Sequence, residues 1–103
     1  MNTLDTIKQQ IAENAIILYM KGTPEFPQCG FSARAVNALK ACGAKFAYVN
    51  ILENPDIRAE LPKYANWPTF PQLYVAGEFL GGADIIGEMH EAGELAEALA
   101  KAA

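Results

Sequence analysis

Residues 15–43 read AIILYMKGTPEFPQCGFSARAVNALKACG, and the way this stretch folds decides the rest of the chain. Ala15–Met20 is an uninterrupted apolar run, the pattern of a strand covered on both faces. KGTP follows as a loop, and Pro24 and Pro27 limit its freedom. From about Gly30 to Cys42, the residues Ala35, Val36, Leu39 and Cys42 share one helical face, and Gly43 supplies a C-terminal stop. Cys29 therefore stands where a proline-stiffened loop meets the start of a helix. Three residues on, where a Cys-x-x-Cys redox pair would have its second thiol, there is Ser32.

Working outward, FAYVNI (46–51) alternates as a second strand. Two strands joined through a helix predict a right-handed parallel βαβ unit. Upstream, MNTLDTIKQQIAEN reads as a helix with Leu4, Ile7 and Ile11 on one stripe. Downstream, a helix starts at Asn54-Pro55 and runs to about Tyr64, with Pro62 expected to kink or end it. FPQLYV and EFLG flank Ala76-Gly77 as a hairpin, whose register stays open because Ala76 disfavours positive φ. GGAD (81–84) leads into one last helical region, marked by Leu95 and Leu99. The order α-β-α-β-α-β-β-α describes a small mixed α/β sheet flanked by helices.

A chain of 103 residues is expected to form a single domain, 1–103, around one continuous core. The net charge is −4 and there is no basic run, so neither nucleic acid nor an anionic membrane is an expected partner. The longest apolar run, AIILYM, is far too short to span a bilayer. The N-terminal stretch has no apolar signal core, and there are only two cysteines. Both point to a reducing compartment, a cytoplasm in the simplest case.

Cys29 is the first candidate for chemistry. At the amino end of a helix, unpaired N–H groups and the helix dipole favour thiolate over thiol, and Lys21 adds a positive charge nearby. Cys42 cannot be its partner, because thirteen helical residues separate the two by roughly 20 Å, against the ~7 Å a disulfide allows. Cys42 reads as a small core residue. A lone thiolate can exchange with a thiol from outside, attack a substrate or ligate a metal. His90, the only histidine, lies in the acidic segment GEMHEAGE and reads as a solvated helix residue. One Cys and one His at no recognisable spacing do not define a zinc shell.

Two further segments matter. In WPTFPQLYV, Pro71 stands at the entrance to a strand; a cis Phe70–Pro71 bond would free the Phe70 backbone for an extended ligand, but trans is the default. In GGAD, the amides of Ala83 and Asp84 are placed to meet an anion, or Asp84 simply caps the helix; both readings stay open here. Arg58, within a helix, is by default a solvated charge.

Cys29-Gly30-Phe31-Ser32, taken with Lys21 before it and WPTFPQ and GGAD after it, resembles the monothiol (CGFS-type) glutaredoxins. The likeness runs from about Leu4 to the last helix. It implies a thioredoxin-like fold with a four-stranded mixed sheet flanked by helices, and a cis Phe70–Pro71 peptide. It also implies a glutathione site: Lys21 and Arg58 pair with carboxylates of the tripeptide, the Phe70 backbone bonds its cysteinyl unit, and Ala83 and Asp84 hold its γ-glutamyl end. Ala83 replaces a cysteine common in the family, so any thiol role there is absent.

The resemblance further implies a 2Fe-2S cluster held in a homodimer, each chain giving Cys29 and one bound glutathione. Such a cluster usually takes four thiolates, which two protein and two borrowed ones supply. The implied function is cluster transfer in iron–sulfur biogenesis and iron homeostasis, with a BolA-like protein and recipient apoproteins as partners. A second reading is a glutathione-dependent thiol–disulfide oxidoreductase acting on glutathionylated proteins, and a third is a redox or iron sensor. Thr23–Pro27, longer than the approach loop of dithiol glutaredoxins, bears on the choice, because it would displace glutathione from the angle that exchange requires.

Overall fold

The computed structural model describes residues 2–102. The elements are α1 (Thr3–Glu13), β1 (Ile16–Met20), α2 (Gly30–Ala41), β2 (Ala47–Asn50), α3 (Pro55–Ala65), β3 (Gln72–Val75), β4 (Glu78–Gly81), α4 (Ala83–Glu91) and α5 (Leu95–Ala102). The strands lie in the order β2-β1-β3-β4. β1 runs parallel to β2 and antiparallel to β3, and β3 and β4 form an antiparallel hairpin.

All five residues of β1 are buried, as the apolar run predicts for a strand covered on both faces. Its alternation divides the interior. Ile16, Leu18 and Met20 join Val36, Leu39, Ile86, Leu95 and Leu99 beneath α2, α4 and α5. Ile17 and Tyr19 join Ile7, Ile11, Ile57, Leu61 and Tyr74 beneath α1 and α3. Ile7 and Ile11 form the buried stripe expected of the first helix.

Two local expectations need correction, and a register left open is now fixed. The last helical region is two helices, because Gly93 takes a positive φ of 75° and its N–H closes the turn on the carbonyl of His90. Pro62 neither ends nor replaces the last turn of α3, which continues to Ala65. That late in the helix its missing N–H forfeits a single bond, and the stop comes instead at Asn66, which adopts the left-handed conformation with φ 51°. In the β3–β4 hairpin, Ala76 does adopt positive φ (53°), followed by Gly77 (82°), the backbone of a type I′ turn that fixes the register Val75↔Glu78.

Candidate functional site

Lys21 follows the last residue of β1, and α2 and α4 both begin at this same end of the sheet. Cys29 is the N-cap of α2, with extended backbone (φ −154°, ψ 144°), and its carbonyl accepts the Ala33 N–H at 3.0 Å. No side chain caps the helix, so its first amides stay available to the sulfur.

Ser32, noticed in the sequence only as a missing cysteine, is fully buried and accepts the Lys21 N–H through Oγ at 3.1 Å. Burial alone pushes the Cys29 thiol up. The Ser32 amide and hydroxyl, the Phe31 amide and the charge of Lys21 outweigh that, and the thiol lies below its ordinary value. The hydroxyl thus serves two groups, accepting from the backbone of Lys21 and donating to the sulfur.

The approach loop is held at both ends. Thr23 and Phe26 exchange backbone bonds at 3.3 and 3.0 Å, and the Gln28 N–H donates to the Lys21 carbonyl at 2.9 Å. The Gly22 N–H donates to Asn50 Oδ1 at 3.0 Å. Gly22 has φ 94°, and a Cβ there would lie 2.5 Å from the Phe26 carbonyl oxygen, so only glycine fits. The loop leaves Phe26 73% exposed, and Phe31, two residues after the cysteine, is 59% exposed.

The opposite wall is the WPTFP segment. The Phe70–Pro71 peptide is cis, as the resemblance implies and against the default for such a bond. The ladder of β3 with β1 begins at Gln72, so Phe70 lies outside it. Gln72 is fully buried, and its Nε2 donates to the carbonyls of Trp67 and Thr69 at 3.1 and 3.2 Å. Its Oε1 accepts the Tyr74 hydroxyl at 3.1 Å. This buried amide shapes the wall and was not singled out from the sequence. The glutamine following the cis proline was the only signal for it.

The last wall is the start of α4. Its N-cap is Gly82, so the capping reading of Asp84 fails: Asp84 lies inside the first turn. The amides there have no side-chain cap and remain free for an anion. Arg34 of α2 reaches Asp84 at 3.8 Å, an exposed contact that the sequence did not reveal.

These walls enclose a groove of about 500 Å³, and Lys21, Cys29, Arg58, Phe70, Ala83 and Asp84 all line it. Phe31, Trp67 and Thr69 line it as well. All six of these candidates from the sequence are brought together here, with two cations and one sulfur lining the same groove and free helix amides at its last wall. Such a surface suits an extended anionic ligand that carries a thiol. Cys42 and His90 are not part of it. Both cysteines are free thiols, and Cys42 caps the far end of α2.

A family profile described as Glutaredoxin matches residues 16–80. The chain belongs to the glutaredoxin family. It is 65% identical over 101 residues to Glutaredoxin 4 of Escherichia coli (strain K12), an alignment covering 98% of this chain and 88% of that protein. It is 68% identical over 95 residues to Glutaredoxin 4 of Haemophilus ducreyi (92% of this chain, 89% of that one). The solution structure of reduced poplar apo GrxS14 superposes with a TM-score of 0.82 at 49% identity, covering 96% of this chain and 91% of that one. With one cysteine at the helix start and serine three residues later, this glutaredoxin is of the monothiol type, and its fold is thioredoxin-like. Among its described residues, no helix is long and apolar enough to cross a membrane.

Proposed function

We propose that this glutaredoxin binds a 2Fe-2S cluster as cargo and passes it to recipient proteins, with Cys29 supplying one thiolate and bound glutathione supplying a second. The single observation that carries this reading is the state of position 32. A buried serine hydroxyl holds the Lys21 amide where a resolving thiol would stand. The other cysteine caps the opposite end of the helix, so Cys29 has no partner for an internal disulfide.

The donor set supports the same reading. Among the described residues, no three Cys, His, Asp or Glu side chains gather as metal ligands. A cluster that takes four thiolates would therefore draw on glutathione and on a second chain, as a homodimer with one cysteine and one glutathione from each. In this reading Lys21 and Arg58 pair with carboxylates of glutathione, and the Phe70 backbone bonds its cysteinyl unit. The Ala83 backbone and the Asp84 carboxylate hold its γ-glutamyl end. A BolA-like protein and iron–sulfur apoproteins in the cytoplasm are the proposed partners.

The lowered thiol of Cys29 favours one further reading. As an oxidoreductase, the Cys29 thiolate would attack the disulfide of a glutathionylated protein at the glutathione sulfur. That protein's thiolate would leave, and Cys29 would be left disulfide-linked to glutathione. A second glutathione thiolate would then release Cys29 and leave as oxidised glutathione. The Thr23–Phe26 turn, closed by its own backbone bonds in the segment that leads to Cys29, supports the carrier over this enzyme, because a loop held there would displace glutathione from the angle that exchange requires.

Anaerobic reconstitution with iron, sulfide and glutathione separates the two. A coloured dimer with one glutathione per chain is the expected result. A colourless monomer with brisk glutathione-coupled reductase turnover would replace the carrier by the enzyme.

A further inference from the structure

The sequence left one pair of chemically capable residues without a use. Cys42 Sγ and His90 Nδ1 lie 3.8 Å apart, on the far side of the α2–α4 pair from the groove. The two helices run side by side in the same direction. Arg34 meets Asp84 near their starts, and Cys42 meets His90 at their ends. Both ends close in the same way. Gly43 and Ala44 donate to the carbonyls of Lys40 and Leu39, and Gly93 and Glu94 donate to those of His90 and Met89. These bonds occupy the last carbonyls, so the field at this place comes from the negative ends of two helix dipoles that meet there, and that field favours a cation.

We propose that Cys42 and His90 form a second site, distinct from the groove, that binds a zinc-class divalent cation through Sγ and Nδ1. Zinc holds thiolate sulfur at about 2.3 Å and imidazole nitrogen at about 2.0–2.1 Å in a tetrahedral shell, so two such donors on one ion stand about 3.6 Å apart. The observed separation, 3.8 Å, is that of a hydrogen bond between sulfur and ring nitrogen, and it lies within a few tenths of an ångström of that bite, so a cation would replace the shared proton. The donors come from separate helices whose packing fixes the distance, which a pair on one mobile loop would lack. Cys42 is half-buried against the core, while His90 is exposed, so the ion enters from solvent on the histidine side. Binding replaces the thiol proton, which goes to solvent, and water fills the remaining positions. With two protein ligands the site is exchangeable, unlike a closed four-ligand structural zinc.

The test uses the full chain with Cys29→Ser, which leaves one thiol, and Zn2+ alone as the probe. His90 is the only histidine, so its imidazole NMR signals report this site without ambiguity. The expected result is one-to-one saturation that moves the His90 signals and protects the Cys42 thiol from a disulfide reagent. Co2+ in place of Zn2+ should give a near-ultraviolet thiolate-to-metal band. His90→Phe, at an exposed position, should weaken Zn2+ binding by at least about tenfold, the least that even an outer-shell partner of a metal is worth. Adding Cys42→Ser to the Cys29→Ser chain should remove the band. The proposal is overturned if millimolar Zn2+ leaves the His90 signals in place, if the thiol stays unprotected, or if His90→Phe leaves the affinity unchanged. A His90 response undiminished by Cys42→Ser would also overturn it, since the histidine would then be acting alone.

Discussion

The two ends of α2 carry the chain's two cysteines and place them in opposite surroundings. At the start, Cys29 faces free helix amides, a serine hydroxyl and Lys21, all of which favour negative charge on sulfur. At the end, Cys42 packs against the apolar core, and its sulfur meets the His90 ring at 3.8 Å. One residue type on one helix thus has two chemistries, and the helix direction decides which. The same polarity extends to α4, whose start lines the groove and whose last turn carries His90.

The largest contrast should appear in cluster loading. Cys29→Ser should abolish the visible colour of the anaerobically reconstituted protein, whereas Cys42→Ser should leave it nearly unchanged. If the Cys42 change removed the colour, the assignment of the two ends would be wrong.

A second contrast concerns the glycines near each end. Gly22→Ala combines positive φ with a clash against backbone, and should cost roughly 3 kcal/mol in chemical denaturation. Gly43→Ala has positive φ but open space around it, and should cost about 1 kcal/mol. Equal losses would show that the approach loop yields more readily than its contacts indicate.

Ser32→Ala sharpens the comparison at the sulfur itself. It leaves the Lys21 N–H without its acceptor, for a loss of about 1–3 kcal/mol. It should also raise the pH at which Cys29 becomes reactive, because one of the groups that lower its thiol is removed. Smallest of all is Arg34→Gln. The Arg34–Asp84 pair is solvent-exposed, so its removal should change stability by less than about 1 kcal/mol, measured by the same denaturation.

How much of this was legible beforehand follows from the range of the interactions. The apolar run at Ala15–Met20, the cysteine before a helix and the glycine after it are local patterns, and the predicted elements formed where those patterns lie. The six candidate residues come from four distant segments, and the motif order of the resemblance brought them together on paper before the groove did. Ser32 was read as an absence because its value lies in a tertiary bond to Lys21, eleven residues away, which no spacing rule signals. Arg34 escaped for the same reason, since its partner Asp84 belongs to another segment. Gln72 bonds within its own segment, to Trp67, Thr69 and Tyr74, but only once the chain there is bent so that the buried amide meets those groups. The break between α4 and α5 was missed although Gly93 was in plain view. Leu95 and Leu99 continue an apolar spacing that masks a stop in the chain.

Alkylation of the native chain across a pH series, with each cysteine quantified by peptide mass spectrometry, tests most directly whether the start of α2 makes Cys29 the reactive sulfur. The folded thiol lies below its ordinary value, so thiolate persists as pH falls until that lowered value is crossed. The rate at Cys29 should therefore level off below the ordinary thiol range of about 8.5 and should exceed that at Cys42 near neutrality. A Cys29 profile that keeps climbing through the ordinary range, or a Cys42 that reacts as fast at neutral pH, would contradict it.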